Sequence, residues 1–366
     1  MAVSLVFDGK LSVAELENKI DNCQKNKLNL VYSSNKASLY HQDNFLAMSA
    51  LLKTHSGKID LVYIDPPFNT GQDFSFSKTR TASISNSKSD ELAYSDNFKL
   101  DEYLKFMQER LYIIHKLLSD YGTLYLHIDI KMGHYLKLIL DEFFGQKNFI
   151  NEITRVKSNP KNFRRKAFGN IKDVIYVYAK NSGKQIFNDI AIKLSSDELE
   201  KLFPKIDENG ERYTTVPCHA PGETIDGDTG KEWRGMLPPK GRHWRSSPIE
   251  LEALDKEGLI EWSKTGNPRI KKYAKDHKGK KIQDIWEGFK DPQYPKYPTE
   301  KNLDMLELIV KQSSNENSII MDCFCGSGSF LLAGLNHNRS VIGIDSADRS
   351  IEISKENIIS ELRLFA

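Results

Sequence analysis

The chain has 366 residues, 39% hydrophobic and 28% charged, which suits about two domains of ordinary size and is too apolar for a disordered chain. Its 52 basic and 50 acidic side chains leave a net charge of +2, so the total selects no partner, and no apolar run reaches the roughly 18 residues needed to span a bilayer. The scattered Cys23, Cys218, Cys323 and Cys325 do not form a disulfide framework; with no leader-like start they fit a reducing, cytoplasmic setting.

In chain order, Leu11, Val13, Leu16 and Ile20 recur at helical spacing, so residues 1–36 are expected to form an appended helical extension. The apolar run Ile59–Ile64 stops at Asp65-Pro66-Pro67, where two prolines forbid further ladder bonds, and reads as a buried parallel strand. Gly71–Lys99 is polar apart from isolated Phe74 and Phe76 and is expected to be a long mobile loop. Leu104, Met107, Leu111, Ile114 and Leu118 predict a helix, and Gly122 separates it from a strand at Thr123–Ile128. Further strands are expected at Phe149–Val156 and Asp173–Ala179. After Asn181 the periodicity lapses, and a stretch holding Trp233, Trp244, Trp262 and Trp286 reads as an insert. A helix at Leu303–Gln312, strands at Ser318–Asp322 and Ser340–Ile344, and helices from Phe330 and Ala347 then restore the alternation. The fold class is therefore α/β.

Two motifs carry chemistry. Asp322-Cys323-Phe324-Cys325-Gly326-Ser327-Gly328 joins a strand to a helix through a turn whose backbone N–H groups can approach a ligand. A dinucleotide fingerprint would need Gly or Ala three residues after Gly328, where Leu331 stands, so a nicotinamide oxidoreductase is disfavoured. Asp345 closes the next strand where an acid accepts ribose hydroxyls, which implies an adenosine-type cofactor. Cys323 and Cys325 lack a matching second cysteine pair, and no metal is expected. The second motif, Asp65-Pro66-Pro67-Phe68, sits at the C-terminal end of a strand, where ligands collect in open α/β sheets. The exocyclic amine of a base is a poor nucleophile because its lone pair is delocalised into the ring. Asp65 and the Pro66 carbonyl can accept both its N–H groups and draw it toward a tetrahedral amine, while Phe68 offers a ring for stacking.

Asp65-Pro66-Pro67-Phe68-Asn69-Thr70-Gly71 together with Asp322–Gly328 resembles the β group of site-specific DNA amino-methyltransferases and the type III modification subunits. Tyr94–Phe98, Phe106–Leu111 and Gly122–Asp129 resemble further blocks of the same family, and the likeness runs along most of residues 38–360. It implies a Rossmann-like S-adenosylmethionine-dependent methyltransferase fold, with a mostly parallel seven-stranded sheet and helices on both faces. The corresponding division is 1–36 extension, 37–184 first catalytic part, 185–296 target-recognition insert, and 297–366 second catalytic part. By the same resemblance Asp65, Pro66, Pro67 and Phe68 hold the target base, and Asp322, Phe324, Gly326, Gly328 and Asp345 hold the cofactor. Asp43 answers a block near the cofactor adenine, with Gln42 where Gly is commoner. Thr299 and Lys301 would approach the methionine carboxylate, with Asn302 in place of the usual proline. Asp at the head of the motif favours adenine N6 over cytosine N4. Double-stranded DNA is the implied partner, with homodimerisation and a restriction endonuclease subunit also in view.

The basic residues Arg155, Lys157, Lys161, Arg164, Arg165 and Lys166 read as a phosphate-facing patch, and a second basic block runs from Lys264 to Lys281. Arg234, Arg242, Arg245 and Arg269 are candidates for guanine contacts, whereas the tryptophans are expected in the core of the insert. The competing readings are a cytosine-N4 methyltransferase and a silent DNA-binding module that keeps the fold.

Overall fold

The computed structural model describes residues 4–67, 72–76, 91–96, 98–157, 166–291 and 301–364. The chain divides into two compact units, one made of residues 1–190 and 283–366 and the other of residues 191–282.

The larger unit is built on a nine-stranded sheet. In chain order its strands are β1 (Leu30–Ser33), β2 (Ala37–His41), β3 (Ile59–Ile64), β4 (Leu118–Ile128), β5 (Phe149–Val156), β6 (Lys172–Ala179), β7 (Ile285–Trp286), β8 (Ile319–Asp322) and β9 (Ser340–Asp345). Across the sheet they lie in the order β1-β2-β9-β8-β3-β4-β6-β5-β7. The central strands from β2 to β4 are parallel, whereas β1 and β6 run antiparallel to their neighbours. The sheet is thus mostly parallel, with nine strands where the family pattern implies seven.

Seven helices belong to this unit among the described residues: α1 (Val13–Cys23), α2 (Asn44–His55), α3 (Leu100–Leu117), α4 (Ile130–Phe144), α5 (Leu303–Ser313), α6 (Ser329–Asn336) and α7 (Asp348–Leu364). From β3 through α3 the chain steps to β4, and from β8 through α6 it steps the opposite way to β9. Right-handed crossovers then place the two helices on opposite faces. The helix contacts agree, since α1 to α4 pack as one layer and α5 to α7 as another. The reversal falls between β3 and β8, so the loops after these strands diverge and leave a crevice at their carboxyl ends. Asp65 and Asp322 stand at those two ends.

Burial explains the strength of this frame. In α3, Tyr103, Leu104, Met107, Leu111, Ile114 and Leu117 form an apolar stripe, each no more than 2% exposed. At about 1.5–3 kcal/mol for each fully buried large apolar side chain, that stripe alone outweighs the helix's modest intrinsic propensity. Helix α1 is no appendage: Leu16 and Ile20 are fully buried, Ile20 joins the main core, and Ser12 with Glu15 closes a capping box at its start.

Two expectations are corrected. Residues 72–76 and 91–96 pair as antiparallel strands where a continuous loop was expected. Phe74 and Phe76 do carry a period of two, but over five residues it is too short to stand out from polar surroundings. Trp286 lies in β7 of the larger unit, buried and donating to the Gln283 carbonyl at 2.9 Å, rather than in the insert. Isolated and flanked by polar residues, so short a strand has no legible pattern.

The smaller unit contains a four-stranded antiparallel sheet of Lys205–Ile206, Arg212–Pro217, Pro268–Tyr273 and Ile260–Trp262, in that spatial order. Its core gathers Cys218, Trp233, Trp244, Leu251, Ile260 and Ile270. Trp233 meets Trp244 edge to face and stacks on Trp262, which is more exposed. The Trp244 indole donates to the Lys231 carbonyl at 2.9 Å, satisfying the polar atom that its burial would otherwise strand. Among the described residues, no helix is long and apolar enough to cross a membrane.

Candidate active site

The glycine turn after β8 is held from several sides. The Asp322 carboxyl accepts the Phe324 N–H at 2.9 Å, and the Gly328 N–H reaches the Cys325 carbonyl at 2.7 Å. Gly326 and Gly328 have φ of +50° and +79°, a region where an L side chain is strained. A Cβ on Gly328 would also lie 2.8 Å from Ser354 Oγ, and that hydroxyl donates to the Gly326 carbonyl at 2.7 Å. Helix α7 therefore approaches the turn too closely for any other residue at 328.

Asp345, at the end of β9, accepts the Gly326 N–H on one oxygen and the Ala347 N–H on the other, both at 2.9 Å. Burial raises its pKa despite these bonds. Further bonds from the Ser346 N–H and the Ser350 side chain converge on the same carboxyl, so Asp345 anchors the turn. Asp43 caps α2 by accepting the Leu46 N–H at 3.1 Å, and it pairs with Arg110 at 2.8 Å. Arg110 also donates to Asn44, whose amide in turn donates to the Cys323 carbonyl at 2.8 Å. Through this chain the segment after β2 is tied to the turn after β8. Phe324 packs against Phe106, and the Arg110 guanidinium lies 3.4 Å over the Phe106 ring.

Across the crevice, Pro66 is buried and Asp65 is only slightly exposed. Asp65 Oδ2 pairs with Lys301 at 2.5 Å. Asp65 Oδ1 is buried and has no hydrogen-bond partner among the described residues. An unspent carboxylate oxygen is costly in a folded interior, and such an atom points to a donor supplied from outside. Below Asp65 lies a network that sequence reasoning missed. His127, fully buried on β4, has Nδ1 at 2.9 Å from the Tyr63 hydroxyl and 3.6 Å from Asp65 Oδ1. Its Nε2 is 3.5 Å from Asp173 Oδ2, and Asp173 Oδ1 accepts from Lys157 at 2.6 Å. Burial lowers the His127 pKa, more than Asp173 and Asp65 raise it. Burial pushes the Asp173 carboxyl up, but the bonds from His127 and Lys157 outweigh it and hold the group well below the usual carboxylate range.

Burial raises the Asp322 pKa well above its ordinary value, and the nearby Asp65 and Asp345 carboxyls raise it further while Lys301 opposes them. The Cys323 and Cys325 thiols are likewise pushed up by burial and remain protonated, inert packing groups.

The structure thus brings together Asp65, Pro66, Lys301, Asp322, Gly326, Gly328 and Asp345 around the sheet's reversal, with Asp43 and Phe324 tied to the turn. Phe68, Thr299, Lys161, Arg164 and Arg165 lie outside the described residues. The basic candidates fare differently. Arg155 is fully buried and donates through Nε and Nη2 to the Phe289 carbonyl and Asp291, with Nη1 buried and unpartnered among the described residues, so it does not face phosphate. Its place in β5 beside β7 turns it inward, which the run of basic residues concealed. Lys157 is committed to Asp173, whereas Lys166 is exposed. In the smaller unit Arg234 pairs with Glu252 and Asp255, and Arg269 donates twice to Thr215. Arg242 and Arg245 are exposed, Arg242 near His219 at 3.2 Å and Arg245 donating to the Pro217 carbonyl at 3.0 Å.

Comparisons with known proteins converge on one family. The family model described as DNA methylase matches residues 59–356. The type II methyltransferase M.EcaI of Enterobacter cloacae is 44% identical over 315 residues, which cover 85% of this chain and 66% of that protein. The Mod subunit of the type III restriction-modification enzyme StyLTI of Salmonella typhimurium is 25% identical over 325 residues, 78% of this chain and 48% of that protein. The chain therefore spans less than two thirds of the length of either relative. Among solved structures, the M1.HpyAVI–SAM complex covers 87% of this chain and 98% of its own at 18% identity, with a TM-score of 0.45.

Proposed function

The chain belongs to the DNA methylase family that embraces the N6 and N4 amino-methyltransferases, and from that premise we propose that it methylates the N6 amine of adenine in duplex DNA as part of a restriction-modification system. The family's cofactor is S-adenosylmethionine. When bound, it supplies an electrophilic methyl group on a cationic sulfur. The residues present fit it: the two strained glycines open a turn with no Cβ in the way, Asp345 braces that turn from the end of β9, where ribose hydroxyls would lie, and the Asp65 and Asp322 carboxyls line the crevice. Lys301 is within reach of the same carboxyls and would meet the carboxylate of the methionine end.

The observation that carries the reading is the unpartnered Asp65 Oδ1 at the crevice. An amine N–H donated to it would satisfy the oxygen and concentrate the nitrogen lone pair for attack. Pro66, without an N–H of its own, fixes the backbone so that its carbonyl can accept the second amine hydrogen. These bonds strengthen as the amine becomes tetrahedral, so they favour the transition state over the ground state. A base inside a duplex cannot reach the site, and extrusion of the target nucleotide, with Phe68 as a stacking surface, follows from that. The smaller unit would read the sequence, with Arg242 and Arg245 as the arginines left exposed. A restriction endonuclease partner belongs to the same reading through the restriction-modification names of the relatives, and homodimerisation and a cytoplasmic setting are part of the proposal.

The test is mass spectrometry of nucleosides after unmethylated genomic DNA is incubated with the protein and methyl-labelled S-adenosylmethionine. Label in N6-methyladenine is the expected result. Label in N4-methylcytosine would move the target base, and no label with cofactor binding retained would favour a silent DNA-binding module.

A further inference from the structure

The network beneath Asp65 spans four adjacent strands. Tyr63 lies in β3 and Asp65 just past its end, His127 lies in β4, Asp173 in β6, and Lys157 just past the end of β5. Register alone assembles them: Ile64 lies beside Leu126, and His127 beside Ile175, two residues beyond Asp173. Burying a histidine between two carboxylates is expensive for a purely structural purpose, since an apolar residue at 127 would pack without desolvating any of them.

We propose that His127 is a positioning residue that acts through Asp65, receiving from it the proton that the methylated amine releases. This rests on the methyl-transfer reading above. Tyr63 Oη lies 2.9 Å from Nδ1 and Asp173 Oδ2 lies 3.5 Å from Nε2; in the tautomer we assign, Tyr63 donates to Nδ1 and the ring proton sits on Nε2 toward Asp173. With its acceptor taken by Tyr63, the imidazole donates nothing to Asp65 Oδ1, and that oxygen stays open for the amine. During transfer the nitrogen gives its electron pair to the methyl carbon as the carbon–sulfur bond breaks, leaving that bond's pair on sulfur. The nitrogen then carries one proton too many. It passes the proton to Asp65, and Asp65 passes it to His127 Nδ1 as the Tyr63 hydroxyl turns away and the 3.6 Å gap closes. The products are a neutral methylated amine, an ionised Asp65 and an imidazolium flanked by two carboxylates. Burial keeps the imidazole neutral beforehand, and Asp173, locked by Lys157, stabilises it once charged.

The groups that face His127 are Tyr63 from β3, Asp65 just past its end, Asp173 from β6 and Lys301 from the segment before α5. The sign follows from them. Transfer requires neutral His127, so single-turnover rate falls as pH drops through its depressed pKa. Asp173→Asn removes a charge that favours the imidazolium and should move this acid limb to lower pH.

The experiment uses the full chain, unmethylated genomic DNA and tritiated S-adenosylmethionine under single-turnover conditions from pH 5 to 9. In parallel, proton and carbon NMR would follow protein labelled in its histidine rings, with thermal melts as a check on folding. His127→Asn should slow transfer by about 10²-fold, leave the cofactor Kd within twofold and abolish the acid limb. The resonance missing from that variant should titrate below the ordinary imidazole range in the unaltered protein, and lower still in Asp173→Asn. Should His127→Asn fail to fold, the Asp173→Asn shift in both the rate profile and the NMR titration decides the matter alone. Transfer within threefold of normal in His127→Asn, or an acid limb unmoved in Asp173→Asn, overturns the inference while leaving the function intact. No transfer by the unaltered protein overturns both.

Discussion

The carboxylates of the larger unit and the arginines of the smaller one present opposite cases. Asp65 and Asp345 are sequestered at strand ends; Asp345 is bound by its own turn, whereas Asp65 keeps one oxygen with no partner among the described residues. Arg234 and Arg269 stand on a basic, partly open surface, yet have committed their guanidiniums to Glu252, Asp255 and Thr215. A buried acceptor left open is costly and persists when a ligand completes it, whereas a surface arginine that binds its own fold has nothing left to read a base with. What sets Asp65 apart from these arginines is an open acceptor placed at the crevice, against charged groups bound within their own unit.

The comparison breaks first at Asp65. Asp65→Ala removes the acceptor but not the glycine turn, and should lower single-turnover transfer by about 10³-fold. Cofactor and DNA affinity, read by calorimetry and filter binding, should stay within a few-fold. An Asp65→Ala protein that still transfers methyl groups at the normal rate would show that the open oxygen has another purpose. Next in size is Arg155, a buried cation inside the larger unit. Arg155→Met leaves the Phe289 carbonyl and Asp291 without their donor and should cost about 3 kcal/mol in urea unfolding. DNA affinity of the folded fraction should not change. A loss of DNA affinity without loss of stability would restore Arg155 to the phosphate-facing surface. Smaller again is Gly328→Ala. The positive φ and the Ser354 contact together should cost about 1–2 kcal/mol locally, appearing as about tenfold weaker cofactor binding.

The contrast also explains what was legible in the sequence. The central parallel strands and the helices after Leu303 announce themselves through apolar runs and helical spacing, because burial on both faces of a sheet dictates composition. The two motifs are legible for a related reason: proline and glycine mark backbone that side-chain preference cannot make. His127 and Asp173 left only a faint trace, one a polar residue near the end of the apolar run Thr123–Ile128 and the other at the head of Asp173–Ala179. Their meaning comes from adjacency of β4 and β6, a long-range pairing that no local pattern encodes. Arg155 misled in the converse way, since seven basic residues between Arg155 and Lys172 look alike in a list of charges. Strand pairing with β7 decided that this one points inward.

The finest test lies among the arginines of the smaller unit. Arg242 and Arg245 are exposed and only partly committed, the first beside His219 and the second donating through Nε alone to a backbone carbonyl. The terminal guanidinium nitrogens of Arg245 therefore remain available for a bidentate contact to guanine or phosphate. Alanine at either position should weaken binding to cognate duplex by about threefold to tenfold. Where the contact is to phosphate, the slope of log affinity against log salt should fall by about one. Where it is to a base edge, the slope should hold while discrimination against that base is lost. Arg234→Ala and Arg269→Ala should leave both slope and discrimination unchanged, because their guanidiniums are already bound within the unit. If Arg234→Ala instead alters the slope as Arg242→Ala does, its bonds to Glu252 and Asp255 must exchange for DNA, and hydrogen bonds made within the protein would no longer mark an arginine as scaffold.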